Sequence, residues 1–288
     1  MLDPIKQMKI EKAIRRAPML SPSTLKVLEL TSGPDPDLDE IIHIVRHDAP
    51  LTARLLRVVN SAAFGLLKEV TSVERAVTYL GIRTVVSTAL ATNLSALYDK
   101  PLEGYESEKG SLWDHSLFCA LASRAIAQRA RGELSADTAF TAGLLHDIGK
   151  AVISELLQGS TKNILDQLDE GAVEDYLSAE RSLVGMDHAQ VGQLLAKTWK
   201  IPPSLQEPIL HHHRPGRAAE AQQPLTHAVH LGDILAMMGG QGTGSDSMQY
   251  RLDPGYSEYF AIDEDDLARI LLEVTDEFQK LKTSLENL

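Results

Sequence analysis

One cysteine, Cys119, stands in 288 residues. An internal disulfide framework is therefore excluded, and a reducing cytoplasm is the expected setting. Without a C-x-x-C pair a thiolate zinc cluster is excluded too. No uninterrupted apolar run approaches the roughly 20 residues of a bilayer span, so no membrane association is expected. Met1-Leu2-Asp3-Pro4-Ile5-Lys6 lacks the basic-then-apolar order of a secretion signal. Basic residues are in deficit, 28 against 40 acidic, for a formal charge of −12. That balance disfavours nonspecific nucleic-acid binding and leaves only a local basic patch as a route to it. A Walker loop, a Rossmann fingerprint and a Gly-x-Ser-x-Gly elbow are missing as well.

What is present reads as a globular, all-α chain. Hydrophobic residues make up 43% and charged residues 24%, with length enough for one large or two ordinary domains. Val27, Leu28 and Leu30, then Leu38, Ile41, Ile42 and Val45, recur at helical spacing. Leu51 to Asn60 and Ser72 to Leu80 continue the pattern, with Asn60 expected to close one helix and turn the chain. Strand-like alternation is scarce and no internal repeat occurs. The polar stretch 101–110 breaks the periodicity and predicts a linker between a helical lobe at 1–100 and a second lobe at 111–240. In the remainder, 241–288, glycine-rich Gly239 to Ser247 predicts a mobile surface loop. Asp263 then caps a helix whose Leu267, Ile270, Leu271, Val274, Phe278, Leu281 and Leu285 form one apolar stripe.

Chemistry concentrates in the second lobe. His146-Asp147 lies in the apolar run Gly143-Leu144-Leu145-His146-Asp147-Ile148-Gly149-Lys150. A buried carboxylate is normally paired, protonated or metal-bound, because leaving it unpaired costs several kcal/mol. Adjacent helical residues point about 100° apart, so one metal or a close pair could take both side chains. Lys150, three residues after Asp147, returns to that face as an anion-binding corner. Ser111 and Asp114 have helix-start spacing, and downstream His115 shares a face with Phe118, Cys119, Ala122 and Ile126. A helix capped by Ser135 is expected to run through His146-Asp147, and Gly143 and Gly149 inside it suggest close packing. His188 sits on the apolar stripe of Val191, Gly192, Leu195 and Trp199. His211-His212-His213 ends the segment Ser204 to Leu210, where a solvated helix end interacting with the C-terminal dipole is the alternative to a ligand role. Asp233 shares a face with Val229, His230 and Met237. Mixed imidazole and carboxylate donors of this kind suit iron, manganese, zinc or nickel better than calcium.

These motifs resemble the HD superfamily of metal-dependent phosphohydrolases and, more narrowly, the HDOD family of bacterial signalling proteins. Leu112-Trp113-Asp114-His115-Ser116, Ala142 to Lys150, Asp187-His188-Ala189-Gln190-Val191-Gly192, Trp199-Lys200-Ile201-Pro202 and His230-Leu231-Gly232-Asp233 carry the likeness in the second half. Leu51 to Ser61 with Phe64-Gly65, and Ser72 to Gly81, carry it in the first. Asp48-Ala49-Pro50-Leu51 departs from the family, which usually places proline directly after the aspartate. The resemblance implies an N-terminal helical lobe packed on an HD-like lobe. It also implies metal ligation by His115, His146, Asp147 and Asp233. Related cyclic-di-GMP phosphodiesterases add further histidines, and His188, His211 and His212 fall in comparable places. Their Gly-Tyr-Pro motif is absent here, where His213-Arg214-Pro215-Gly216 follows.

Two functions are compatible with this reading. One is a regulatory module, free to form an oligomer, that binds a signalling protein or a nucleotide-like small ligand, with its site for one or two divalent transition-metal ions structural or vestigial. The other is an active metal-dependent phosphohydrolase, with Asp147 holding metal and Lys150 neutralising phosphoryl oxygens. A plain helical scaffold without metal would leave Asp147 and Asp233 needing partners that the sequence does not name.

Overall fold

Side-chain oxygens start most of the helices. In the computed structural model, which describes residues 4–33, 36–61, 64–66 and 68–286, these caps accept the orphan N–H groups of first helical turns. Residues 1–3 of the N-terminal stretch read above lie outside that range. After α1 (Pro4–Arg16), Ser21 caps α2 (Pro22–Thr31), Asp37 caps α3 (Leu38–Arg46) and Asp48 caps α4 (Ala49–Val59). Ser72 caps α5 (Val73–Tyr98), which breaks at Gly81, where φ is 71° and only glycine is comfortable. Asn60 closes α4 as expected. Its Nδ2 donates to the Leu56 and Val70 carbonyls and its Oδ1 accepts from Val70 N–H, at 2.7–2.8 Å.

The second lobe is built around α6 (Ser111–Ala127), followed by α7 (Ala136–Leu145), α8 (Lys150–Leu157), α9 (Thr161–Asp169) and α10 (Tyr176–Val184). It continues through α11 (His188–Thr198), α12 (Pro203–His211) and α13 (Gln223–Met238), then α14 (Tyr256–Tyr259) and α15 (Glu264–Glu286). The fold is all-α. Among the described residues there are only isolated β-bridges and no strand. α6 is buried on nearly every side by α7, α13 and α15, and α5 joins the lobes by packing on α2, α3 and α4 as well as α7. The stripe of α15 meets α6 as expected, with Phe278 and Phe118 rings 5.5 Å apart.

Four expectations change. The stretch 101–110 is not a solvated linker: Leu102, Gly104 and Tyr105 insert into the second lobe while Glu103, Glu106 and Glu108 stay exposed. Gly110, not Ser111, occupies the cap of α6, and Asp114 reaches Lys282 of α15 at 2.6 Å instead. The helix capped by Ser135 ends at Leu145, so His146-Asp147 lie in a turn before α8. Gly239 to Ser247 is no mobile surface loop, because Thr243 and Asp246 are buried within it.

Candidate metal centre

Five chain segments deliver one cluster. His115 comes from α6, His146 and Asp147 from the turn after α7, His188 from the first position of α11, His212 and His213 from just past α12, and Asp233 from α13. Their side chains are 0–4% exposed. Local sequence fixes several of them. Asp187 and Gln190 form a reciprocal capping box that starts α11 at His188. Gly149 lets α8 touch α11: a Cβ there would fall 1.9 Å from the His188 carbonyl oxygen.

The imidazoles are held from behind. Nδ1–H donates to the Gln241 carbonyl from His115 (2.6 Å), to the Gly143 carbonyl from His146 (2.7 Å) and to the Ile209 carbonyl from His212 (3.0 Å). His188 Nδ1–H donates to the Glu180 carboxylate at 2.9 Å. This arrangement fixes one tautomer and turns each Nε2 lone pair toward the centre, the pattern found behind metal-bound histidines. Glu180 also accepts from Tyr105 O–H (2.6 Å) and from the His188 backbone N–H (2.8 Å). His230 stands one layer out. It donates Nδ1–H to the His212 carbonyl and accepts the Asp253 N–H at Nε2, so neither nitrogen is free.

Asp147 lies between two ligand sets. Its Oδ2 is 3.4 Å from His115 Nε2 and 3.5 Å from His146 Nε2, and Asp233 Oδ1 is 3.2 Å from His115 Nε2. Its Oδ1 is 3.4 Å from both His188 Nε2 and His212 Nε2. His213 completes the second set, with Nε2 3.0 Å from His188 Nε2. Donor atoms bonded to one ion at about 2.1 Å sit roughly 3.0–3.4 Å from one another, and these separations match. Asp147 Oδ1, Asp233 Oδ2, His212 Nε2 and His213 Nδ1 are buried with no hydrogen-bond partner. Each such atom costs about 1–3 kcal/mol in a protein-only cluster, so the residues fit a cation.

Protonation follows the same geometry in the metal-free chain. Burial resists charging His115, but hydrogen bonds to Asp147 and Asp233 prevail and push it up to about 9. Burial drives His212 down to about 4, and its bond to Asp147 does not offset this. Burial would raise Asp147, yet Lys150 and His146 hold it well below the usual carboxylate range. Lys150 itself is buried. Its ammonium donates to Thr243 Oγ1 (2.9 Å) and lies 2.6 Å from both Asp147 Oδ2 and Asp246 Oδ2. These contacts take up the charge that the sequence reading assigned to a phosphoryl group.

One expected ligand is misplaced. His211 still belongs to α12 and faces outward, 4.0 Å from Glu207, whereas the chain leaves the helix after it and turns His212 and His213 inward. His213 therefore takes the place given to His211. Its ring stacks on Tyr250 at 3.7 Å. Glu180 and Asp246 are also new. Neither carried a sequence signal: Asp246 meets Lys150 from far along the chain, and Glu180 reaches His188 only because α10 and α11 fold back on each other.

An all-helical protein with a buried histidine–aspartate cluster whose donors fit a cation is the class that fold and site define. Residues 17–215 match the HDOD domain, and the chain belongs to the HDOD family. A Treponema pallidum (strain Nichols) protein, uncharacterized, is 25% identical over 213 residues, 74% of this chain but only 40% of the relative. An HDOD domain protein of unknown function from Geobacter sulfurreducens superposes with a TM-score of 0.68 at 22% identity, covering 97% of this chain and 98% of its own. A protein of Shewanella amazonensis SB2B, provisionally named a phosphohydrolase, gives 0.67 at 24% identity, covering 96% and 98%. One from Marinobacter aquaeolei VT8, provisionally named a signal transduction protein, gives 0.73 at 18%, covering 99% of this chain and 66% of its own. At these identities the structures establish the fold. No helix among the described residues is long and apolar enough to cross a membrane.

Proposed function

We propose that the chain is an HDOD-type signal-transduction module that holds one or two divalent transition-metal ions and acts by binding a signalling protein or a nucleotide-like small ligand. The observation that carries this is Asp147, whose two oxygens face two separate ligand sets. His115, His146 and Asp233 would hold an ion at Oδ2, and His188, His212 and His213 one at Oδ1. Iron, manganese, zinc and nickel suit such donors. When bound, these ions supply Lewis acidity and an activated water. The regulatory reading is favoured by closure: Thr243 and Asp246 cover Lys150, Tyr250 stacks on His213, and the other six ligands are buried.

A metal-dependent phosphohydrolase is the second reading, favoured by the completeness of the ligand sets. In it the chain's own tasks are clear. Asp147 and Asp233 balance cationic charge, Glu180 keeps His188 oriented, and Lys150 meets phosphoryl oxygens after leaving Asp246.

Elemental analysis of untagged protein, purified without chelator, tests the metal. We expect about one or two ions of iron, manganese, zinc or nickel per chain. D147N and H213A should lower that content, and H211A should leave it unchanged. Metal-free protein after reconstitution, or loss in H211A equal to that in H213A, refutes the assignment. Cyclic dinucleotides and aryl phosphates, offered to protein loaded with Mn²⁺ or Fe²⁺, separate the readings. Background rates support the regulatory one, and turnover abolished by D147N supports the hydrolase.

A further inference from the structure

Away from the metal centre, α4, α5, the start of α6 and the end of α15 leave a cavity of about 300 Å³. Arg54, Tyr98, Trp113, Ala91 and Leu285 line it, and Asp99 stands among them with its residue exposed. Arg54 is the unexplained group. It is half-buried, its Nε is shielded from solvent without an acceptor, and no described residue hydrogen-bonds or ion-pairs with it. Tyr98 and Trp113 form an edge-to-face pair 5.3 Å apart, and the Tyr98 O–H donates to the Leu144 carbonyl at 3.1 Å. That carbonyl lies two residues before His146, so one wall of the cavity is tied to the segment that carries the His-Asp pair.

A guanidinium presents a planar fork that matches a carboxylate edge to edge. Aromatic walls beside Ala91 and Leu285 accept a flat apolar body. The volume lies at the lower end of the roughly 300–1,000 Å³ of small-molecule sites, which excludes a dinucleotide. Asp99 disfavours a second negative charge, so a monoanion fits better than a phosphate dianion.

We propose that this cavity binds a small planar aromatic carboxylate, with Arg54 clasping the carboxylate and Trp113 and Tyr98 covering the ring. This site is independent of the metal centre and of whether the centre is catalytic. Calorimetric titration of the full chain with benzoate is the test, with benzamide and inorganic phosphate as comparisons. Benzoate should bind saturably at one site. R54Q should weaken it about tenfold or more while leaving metal content unchanged and Tm within about 2 °C, since Arg54 makes no hydrogen bond or ion pair with a described residue. R54K should fall between, because it keeps the charge and loses the fork. Benzamide should bind at least about tenfold more weakly than benzoate, and phosphate should not compete. The proposal is overturned if wild type takes up no benzoate to about 10 mM, if R54Q binds it equally well, or if phosphate displaces it.

Discussion

Replacing Gly149 by alanine should damage the candidate metal centre without touching any of its proposed ligands. Gly149 has helical torsions, φ −66° and ψ −28°, so alanine would gain about 1 kcal/mol of backbone preference in open space. Space is what it lacks. The added Cβ would meet the His188 carbonyl oxygen at 1.9 Å and the Gly192 nitrogen at 2.6 Å, against a practical limit of 3.0 Å. Both obstacles are backbone, so α8 and α11 must part by roughly 1 Å. Overpacking in a rigid contact costs about 1–3 kcal/mol and here should lie at the upper end, giving a net loss of about 2 kcal/mol. For a chain of this size that lowers Tm by about 3–4 °C. Because His188 starts α11, its imidazole moves with the backbone, and the set around Asp147 Oδ1 should lose affinity before the set around Oδ2. Thermal melts with metal analysis check this, with G132A as control, since nothing lies near a Cβ at Gly132. A G149A protein that matches wild type in both Tm and metal content would refute the close-approach argument.

Two other outcomes are expected. Asn60→Ala removes three hydrogen bonds that staple the end of α4 to Val70, so denaturant melts should show a loss of about 2 kcal/mol, and a loss below about 0.5 counts against the staple. In metal-free protein, stability should peak near pH 6.5, the approximate value for an unfolded histidine. His115, raised to about 9, contributes below that point and loses its contribution as pH rises toward 9. His212, lowered to about 4, is buried neutral, so the unfolded chain gains the proton first and stability falls from pH 6.5 toward 4. Each flank is on the order of 3 kcal/mol, and a flat Tm profile from about pH 4 to 9 would contradict it.

Much of the fold is written locally. Ser72, Ser135 and Asp263 announce their helices, and α15 is one-sided, so its stripe names the face that packs. α6 is different: being buried almost all round, it has no stripe to read, and the inward direction of His115 came from its neighbours' character alone. The His-Asp pair and the late aspartate were legible because polar groups among apolar residues need a reason. The histidine triplet was not, because choosing among adjacent residues requires knowing where α12 stops. Lys150 was found for its position three residues after Asp147, but its partner Asp246 lies 96 positions further on and is brought there only by tertiary packing. Glycine-rich composition pointed to solvent for that segment, and the packing of Gly244 against the Tyr105 carbonyl overrode it.

The segment that covers the centre governs time as well as affinity. The Gln241 carbonyl holds His115, while Thr243 and Asp246 hold Lys150. An ion held as proposed would be released more readily when this stretch of chain opens, so exchange would follow local unfolding as well as bond strength. Metal bound on those terms would exchange slowly and would reflect the supply present when the chain folded.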